Sequence, residues 1–300
     1  MRRTGWIAAA VALAIAAGGA GTWLIGGPTA PPRDLTDLTG DVNRGAYVAR
    51  LAGCIPCHTD SEAGGAVLAG GGPLKTEFGI FYGPNITPHE TDGVGAWTLE
   101  QFAAAVTEGR APDGSHYYPS FPYAFYTRLS DQDIVDLWAA VRSVPAVEGR
   151  APPHDLAFPY TVRAGLGAWK RLYLDPEPAP ADWPRGRYLA EVAHCGACHT
   201  PRTALGGRDA DRRFAGAPTP GGGTIPAITG AALTEAGWTV EDLAYSLVSG
   251  VKPDGDVYGG AMARVVQGGT QFWSATDRDA LAVYLFEGAL GAPITEGETQ

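Results

Sequence analysis

Cys54-Ile55-Pro56-Cys57-His58 and Cys195-Gly196-Ala197-Cys198-His199 decide the reading of this chain. They are two copies of one pattern, a Cys-x-x-Cys pair followed at once by histidine, and they use all four cysteines of the sequence. They lie 141 residues apart, and the same offset carries the surrounding sequence with it. It maps Arg44-Gly45 onto Arg185-Gly186, Tyr47 onto Tyr188, Trp97-Thr98 onto Trp238-Thr239, and Pro112-Asp113-Gly114 onto Pro253-Asp254-Gly255. A shift of one residue pairs Pro84-Asn85-Ile86-Thr87 with Pro226-Ala227-Ile228-Thr229. After the Pro-Asp-Gly turns, a five-residue gap brings Ser130-Asp131-Gln132-Asp133 onto Thr276-Asp277-Arg278-Asp279. Self-similarity of this kind marks a duplicated module. It divides the chain into a first domain over 42–143, a linker over 144–181 with seven prolines, and a second domain over 182–300. The aromatic middle of the linker, Phe158 to Tyr173, reads as packed chain.

Working outward, the 300 residues have room for two such domains. Apolar residues make up 45% and charged residues 18%, enough for cores and too little charge for a disordered chain. With 42 glycines and 24 prolines the chain is loop-rich, and a long coiled coil is excluded. The net charge of −10 and the lack of a basic cluster exclude nucleic acid as a partner.

The local pattern predicts an all-α fold. In each copy an amphipathic helix runs into the cysteine motif, over Val42–Ala52 and Ala181–Ala193. Thr98 with Gln101 has the pattern of a capping box, and Thr239 with Asp242 is a looser version of it. A final helix opens at Ser130 in the first copy and at Thr276 in the second. No stretch alternates long enough to predict a strand.

Residues 1–27 read as a membrane anchor or a signal segment, followed by a Pro-rich tether over 28–41. Arg2 and Arg3 precede an apolar run of 20 residues from Trp6 to Ile25, about the length that spans a bilayer as a helix. The run resumes with Trp23-Leu24-Ile25 after a Gly/Ala patch, which favours an uncleaved anchor over a signal peptide. Either way the positive-inside rule sends the remainder of the chain across the membrane.

Two thiols at i and i+3 on one helical turn can add to the vinyl groups of a haem, and the histidine that follows then faces the iron. A redox disulfide or a half zinc site uses the same Cys-x-x-Cys. A zinc site would join two pairs that here belong to separate modules, and a thioredoxin-like motif needs a βαβ setting that is absent. The motifs therefore predict two covalently bound haem c groups, on Cys54, Cys57 and His58 and on Cys195, Cys198 and His199.

With these residues in place the chain resembles the class I c-type cytochromes in duplicated form. It is similar above all to the membrane-associated multihaem cytochrome subunits of periplasmic alcohol and gluconate dehydrogenases. The resemblance rests on RGAYVARLAGCIPCH (44–58), PNITPHETDGVGAWT (84–98), PDGSHYYPSFPYAFYTRLSDQD (112–133), FPYTVRAGLGAWKRLYL (158–174) and RGRYLAEVAHCGACHTPRTALGG (185–207). It implies two tandem cytochrome c domains behind an N-terminal transmembrane or signal helix. Such relatives often carry three haems, whereas this chain has two motifs. The resemblance also places an axial methionine after the second Pro-Asp-Gly turn. Met262 stands there, and the chain has one other methionine, Met1. The equivalent of Met262 in the first copy is Phe121, which cannot ligate iron, nor can the nearby Leu129. His116, after the first Pro-Asp-Gly turn, is the imidazole in the right loop; its alternative role is that of a surface loop histidine. His89 and His154 read as loop residues, and His194 belongs to the second module.

These readings make the chain an electron carrier rather than an enzyme. It takes electrons from a periplasmic dehydrogenase or a quinol-linked donor and passes them to an acceptor cytochrome or terminal oxidase. The expected location is the periplasmic side of the inner membrane. The competing reading is a peroxidase-like dihaem enzyme with a five-coordinate first haem. The scattered carboxylates offer no catalytic pair.

Overall fold

The computed structural model describes residues 19, 21, 23–28, 30–219 and 222–287. Helix α1, Val42–Leu51, starts where the Asp41 side chain accepts the Arg44 N–H and thereby satisfies one of the free donors of its first turn. Its buried face is Gly45, Val48, Ala49 and Leu51. One residue of left-handed backbone, Gly53 (φ 66°), turns the chain into α2, Cys54–His58, which is the first cysteine motif. A hairpin follows, β1 (Pro73–Thr76) paired antiparallel with β2 (Gly79–Tyr82). Then come α3 (Leu99–Glu108), the short α4 (Tyr123–Tyr126) and α5 (Asp131–Ser143), whose Ser130 hydroxyl accepts the Asp133 N–H. Helix α5 lies across α1 at Gly45, where a Cβ would stand 1.8 Å from the Asp136 carbonyl oxygen. The helices cross this closely only because that residue has no side chain.

The linker supplies β3 (Asp155–Leu156), which adds to the free edge of β2, and α6 (Gly165–Tyr173). Lys170 of α6 is 1% exposed and donates to the carbonyls of Glu108 and Gly109, and the Tyr173 hydroxyl bonds Thr203 Oγ1. The linker is thus packed against chain from both copies, as its aromatic middle predicts.

The second copy repeats the plan with α7 (Arg185–Val192), α8 (Gly196–His199), the hairpin β4 (Ala217–Pro218) and β5 (Thr224–Ile225), α9 (Gly230–Glu235), α10 (Val240–Ser249), α11 (Gly260–Gly268) and α12 (Ala275–Glu287). Helix α12 crosses α7 at Gly186, where a Cβ would lie 2.0 Å from the Ala280 carbonyl oxygen, so the close crossing is repeated as well. Both capping boxes are formed, Thr98 with Gln101 and Thr239 with Asp242.

Three expectations need correction. The fold is not all-α: two small antiparallel sheets sit in the loops after the cysteine motifs. Their strands are two to four residues long, too short to show an alternation in sequence. The last helix begins at Ala275 rather than after Thr276, because Ser274 supplies the hydroxyl that accepts the Asp277 N–H. The N-terminal transmembrane helix is the third. Among the described residues no helix is long and apolar enough to cross a membrane. Residues 1–18 of that segment, with Arg2 and Arg3, lie outside the described residues. The helical residues 23–26 instead end against the protein, where free carbonyls meet cationic and imidazole donors: Arg171 holds the Trp23 carbonyl and His116 the Ile25 carbonyl.

The two copies clamp each other reciprocally. The Tyr47 hydroxyl accepts the Ser274 N–H and donates to Asp277, which is also paired with Arg185. The Tyr188 hydroxyl accepts the Ser130 N–H and donates to Asp133, which is also paired with Arg44.

Candidate functional site

Each cysteine motif is a single helical turn docked by its own histidine. His58 Nδ1 is 2.7 Å from the Pro84 carbonyl oxygen, and His199 Nδ1 is 2.8 Å from that of Pro226. A ring that donates through Nδ1 is fixed in tautomer and orientation and keeps the Nε2 lone pair for a metal. Burial lowers both pKa values and keeps the rings neutral, the form that ligates. Prolines 84 and 226 are the residues that the sequence aligned with a one-residue shift, so the shift preserves this bond.

All four thiols are free. Burial pushes Cys54 and Cys195 up to about 12, so they are neutral thiols and not the activated thiolates of a redox site. Burial also raises Cys57, Arg264 pulls it back, and the neighbouring Cys198 adds to the rise. The two attachment segments approach one another just ahead of the motifs, where a Cβ on Gly53 would lie 3.1 Å from His194 Nε2. Among the described residues no group of three or more His, Cys, Asp or Glu is placed to hold a bare metal ion. Gly71, in the middle of the Gly70-Gly71-Gly72 run, and Gly83 beyond the hairpin pack directly on the Cys57 carbonyl, where a Cβ would be 1.9 Å away.

The other site residues fall as follows. Met262 is half-buried in the first turn of α11 and packs against the core. Its register with Phe121 is structural: the Tyr117 N–H donates to the Gly109 carbonyl and the Tyr258 N–H to that of Gly250, four residues before each. Phe121 packs among Tyr117, Tyr123 and Tyr126, at ring separations of 5.9, 6.2 and 5.8 Å. His116 is brought to the right loop but both its nitrogens are engaged. Nε2 donates to the Ile25 carbonyl at 2.9 Å, and Nδ1 accepts from Lys170 Nζ at 3.0 Å. His89 accepts the Asp92 N–H and His154 the Tyr82 N–H, loop roles in both cases. Among the described residues two buried side-chain polar atoms have no hydrogen-bond partner, Tyr123 Oη and His194 Nε2. His194 Nε2 lies beside the first motif, 3.1 Å from where a Cβ on Gly53 would stand. Paired free thiols, a pre-oriented imidazole and one unpartnered buried nitrogen beside the first motif fit a haem. Sequence reasoning missed Lys170 and His194, whose roles depend on contacts from distant segments.

The chain is 44% identical over 296 residues to the "Diheme cytochrome c-type" of Cereibacter sphaeroides, covering 95% of this chain and 98% of that protein. The chain belongs to the dihaem c-type cytochromes. The cytochrome carries two covalently bound haem c groups, and its cysteines at 54 and 57 and at 195 and 198 fit the two attachment motifs. It is an electron-transfer protein and not a catalytic subunit. It is also 38% identical to the fructose dehydrogenase cytochrome subunit of Gluconobacter japonicus and 37% identical to the cytochrome c subunit of the quinone alcohol dehydrogenase of Gluconobacter oxydans. Each match covers 81% of this chain, which spans about half of those subunits, 52% and 54%. No family model matches the chain. A peroxidase-like role gains no support from these relatives.

Proposed function

We propose that the cytochrome relays electrons from a dehydrogenase or quinol-linked donor to an acceptor cytochrome or terminal oxidase in the periplasm. The dehydrogenase subunits named above support the donor, since they are cytochrome partners of such enzymes. Residues 42–143 and 182–300 are the two cytochrome c domains, joined by 144–181. Cys54 and Cys57 would tether the first haem and His58 would ligate it; Cys195, Cys198 and His199 would do the same for the second, with Met262 as the candidate second ligand. The haem supplies a one-electron couple, and the protein supplies spacing, burial and ligands. The observation that carries this reading is the repeated bond from a motif histidine to a proline carbonyl beside two free thiols.

For the first haem the geometry favours His58 as protein ligand without His116. Ligation by His116 would sacrifice its bond to Ile25 or the one from Lys170, and a buried donor or acceptor left alone is costly. A Met262 thioether on the second haem would raise its potential and so favour transfer from the first centre to the second. Low-temperature EPR of the oxidised holoprotein tests the ligand sets. One low-spin and one high-spin centre are expected; a bis-histidine low-spin signal would restore His116 as ligand.

A further inference from the structure

His194 stands at the position that Gly53 holds in the first copy, the residue before the first cysteine of each motif. Both have left-handed backbone, φ 66° for Gly53 and φ 47° for His194. Glycine adopts this conformation freely, whereas histidine does so against a steric preference. The two residues face each other: a Cβ on Gly53 would lie 3.1 Å from His194 Nε2. The imidazole fills the room that a side chain at 53 would need. Its Nε2 is buried without a partner, and its ring lies against Phe125 and Tyr126, at 6.2 and 6.1 Å. Tyr126 in turn donates to the Ala52 carbonyl, just ahead of the first motif. Burial lowers the His194 pKa to about 4, partly opposed by its own backbone and then by that of Ala52, so the ring is neutral at pH 7.

The surrounding contacts fix this junction. Pro56 of the first motif packs on Gly268, whose carbonyl accepts from Arg50 at 3.2 Å. The Tyr47 and Tyr188 clamps hold the copies together. Cys54 and Cys195, which would each hold a haem, directly follow the facing residues Gly53 and His194. We propose that His194 is a positioning residue for electron transfer between the two haems, a neutral wedge that spaces the attachment segments and keeps water from the gap. This rests on the assignment of both haems to their Cys-x-x-Cys-His motifs. The step is a one-electron exchange in which the first centre is oxidised and the second reduced; no bond forms or breaks and His194 neither gains nor loses a proton.

The test uses holoprotein of the wild type, His194→Gly, His194→Asn and, as a control, His89→Asn. Glycine suits the left-handed backbone, and asparagine tolerates it while keeping a polar wedge. Covalent haem per chain is read by mass, the two potentials by redox titration, and inter-haem transfer by the relaxation after flash reduction. Small displacements of positioned groups cost up to ~10²-fold in rate, and His194→Gly is expected to slow the exchange about tenfold or more. Water admitted to the gap should also lower the potential of the first haem, because hydration favours the oxidised, more positive form. His194→Asn should restore part of both effects, and His89→Asn should match the wild type. Wild-type rate and potentials in a fully loaded His194→Gly, or equal losses in glycine and asparagine variants, overturn the proposal. Fewer than two haems on the wild-type chain would instead sink the assignment of the motifs.

Discussion

Replacing Gly45 by alanine tests how the first motif is held in place. In an isolated helix the change would help, by about 0.8–1 kcal/mol of helix propensity. Here the new Cβ would sit 1.8 Å from the Asp136 carbonyl oxygen, 2.4 Å from its carbon and 2.9 Å from the Ala140 Cβ. Reaching an ordinary contact of ~3.5 Å requires α1 and α5 to part by about 1.7 Å. Overpacking of this kind costs roughly 1–3 kcal/mol and sometimes more. The separation also strains the Arg44 contacts to the buried carboxylates of Asp133 and Asp136, both anchored in α5. A 1.8 Å approach belongs at the upper end of that range, so a net loss of about 2 kcal/mol remains after the propensity gain. Guanidinium denaturation of loaded protein, followed by far-UV circular dichroism and haem absorbance, measures it. Gly186→Ala, with a Cβ 2.0 Å from the Ala280 oxygen, should behave alike. A Gly45→Ala protein as stable as the wild type, or more so, would refute the close-crossing account.

Two further outcomes are expected. Met262→Leu conserves volume but removes the thioether, so the potential of the second haem should fall while that of the first stays put; redox titration reads both, and an unmoved second potential would remove Met262 from the ligand set. Acid should also unfold the protein through identifiable carboxylates. Burial pushes Asp136 and Asp277 up, but the Asp41 N–H, Gln132 and Arg44 at Asp136, and Arg185 and Tyr47 at Asp277, outweigh it and hold both below the usual range. A depressed folded pKa gives stability that is complete above the unfolded value of ~3.9 and is lost as the pH falls through the folded value. Denaturation midpoints should therefore drop below about pH 4, and less steeply in Asp136→Asn; a flat profile, or an unchanged slope in the variant, contradicts this.

Much of this was legible because it repeats. The cysteine motifs, the two capping boxes and the offset that pairs Phe121 with Met262 all depend on short-range spacing, which a single chain displays directly. The strands were not legible, since two residues such as Thr224 and Ile225 carry no period. Nor was the start of the last helix: Thr276 matched Ser130 by sequence, while the backbone used Ser274, opposite Tyr47. His116 stood in the predicted loop, yet its fate was decided by Lys170 and Ile25, 54 and 91 residues away along the chain. His194 was set aside as belonging to the second module, and it is the contact across to Gly53 that gives it meaning.

The exchanged tyrosines carry a consequence for how such a chain arose. Tyr47 satisfies the helix start of the second copy and Tyr188 that of the first, so each copy completes the other. This is the self-complementary contact of a two-fold homodimer, in which residue i of one subunit meets residue j of its twin and j meets i. Fusion of two such subunits into one polypeptide would conserve the contact and free the halves to diverge. Position 53 holds glycine where position 194 holds histidine, and position 262 holds methionine where position 121 holds phenylalanine. An asymmetric relay with a direction is something a symmetric dimer cannot encode, and a tandem duplication can.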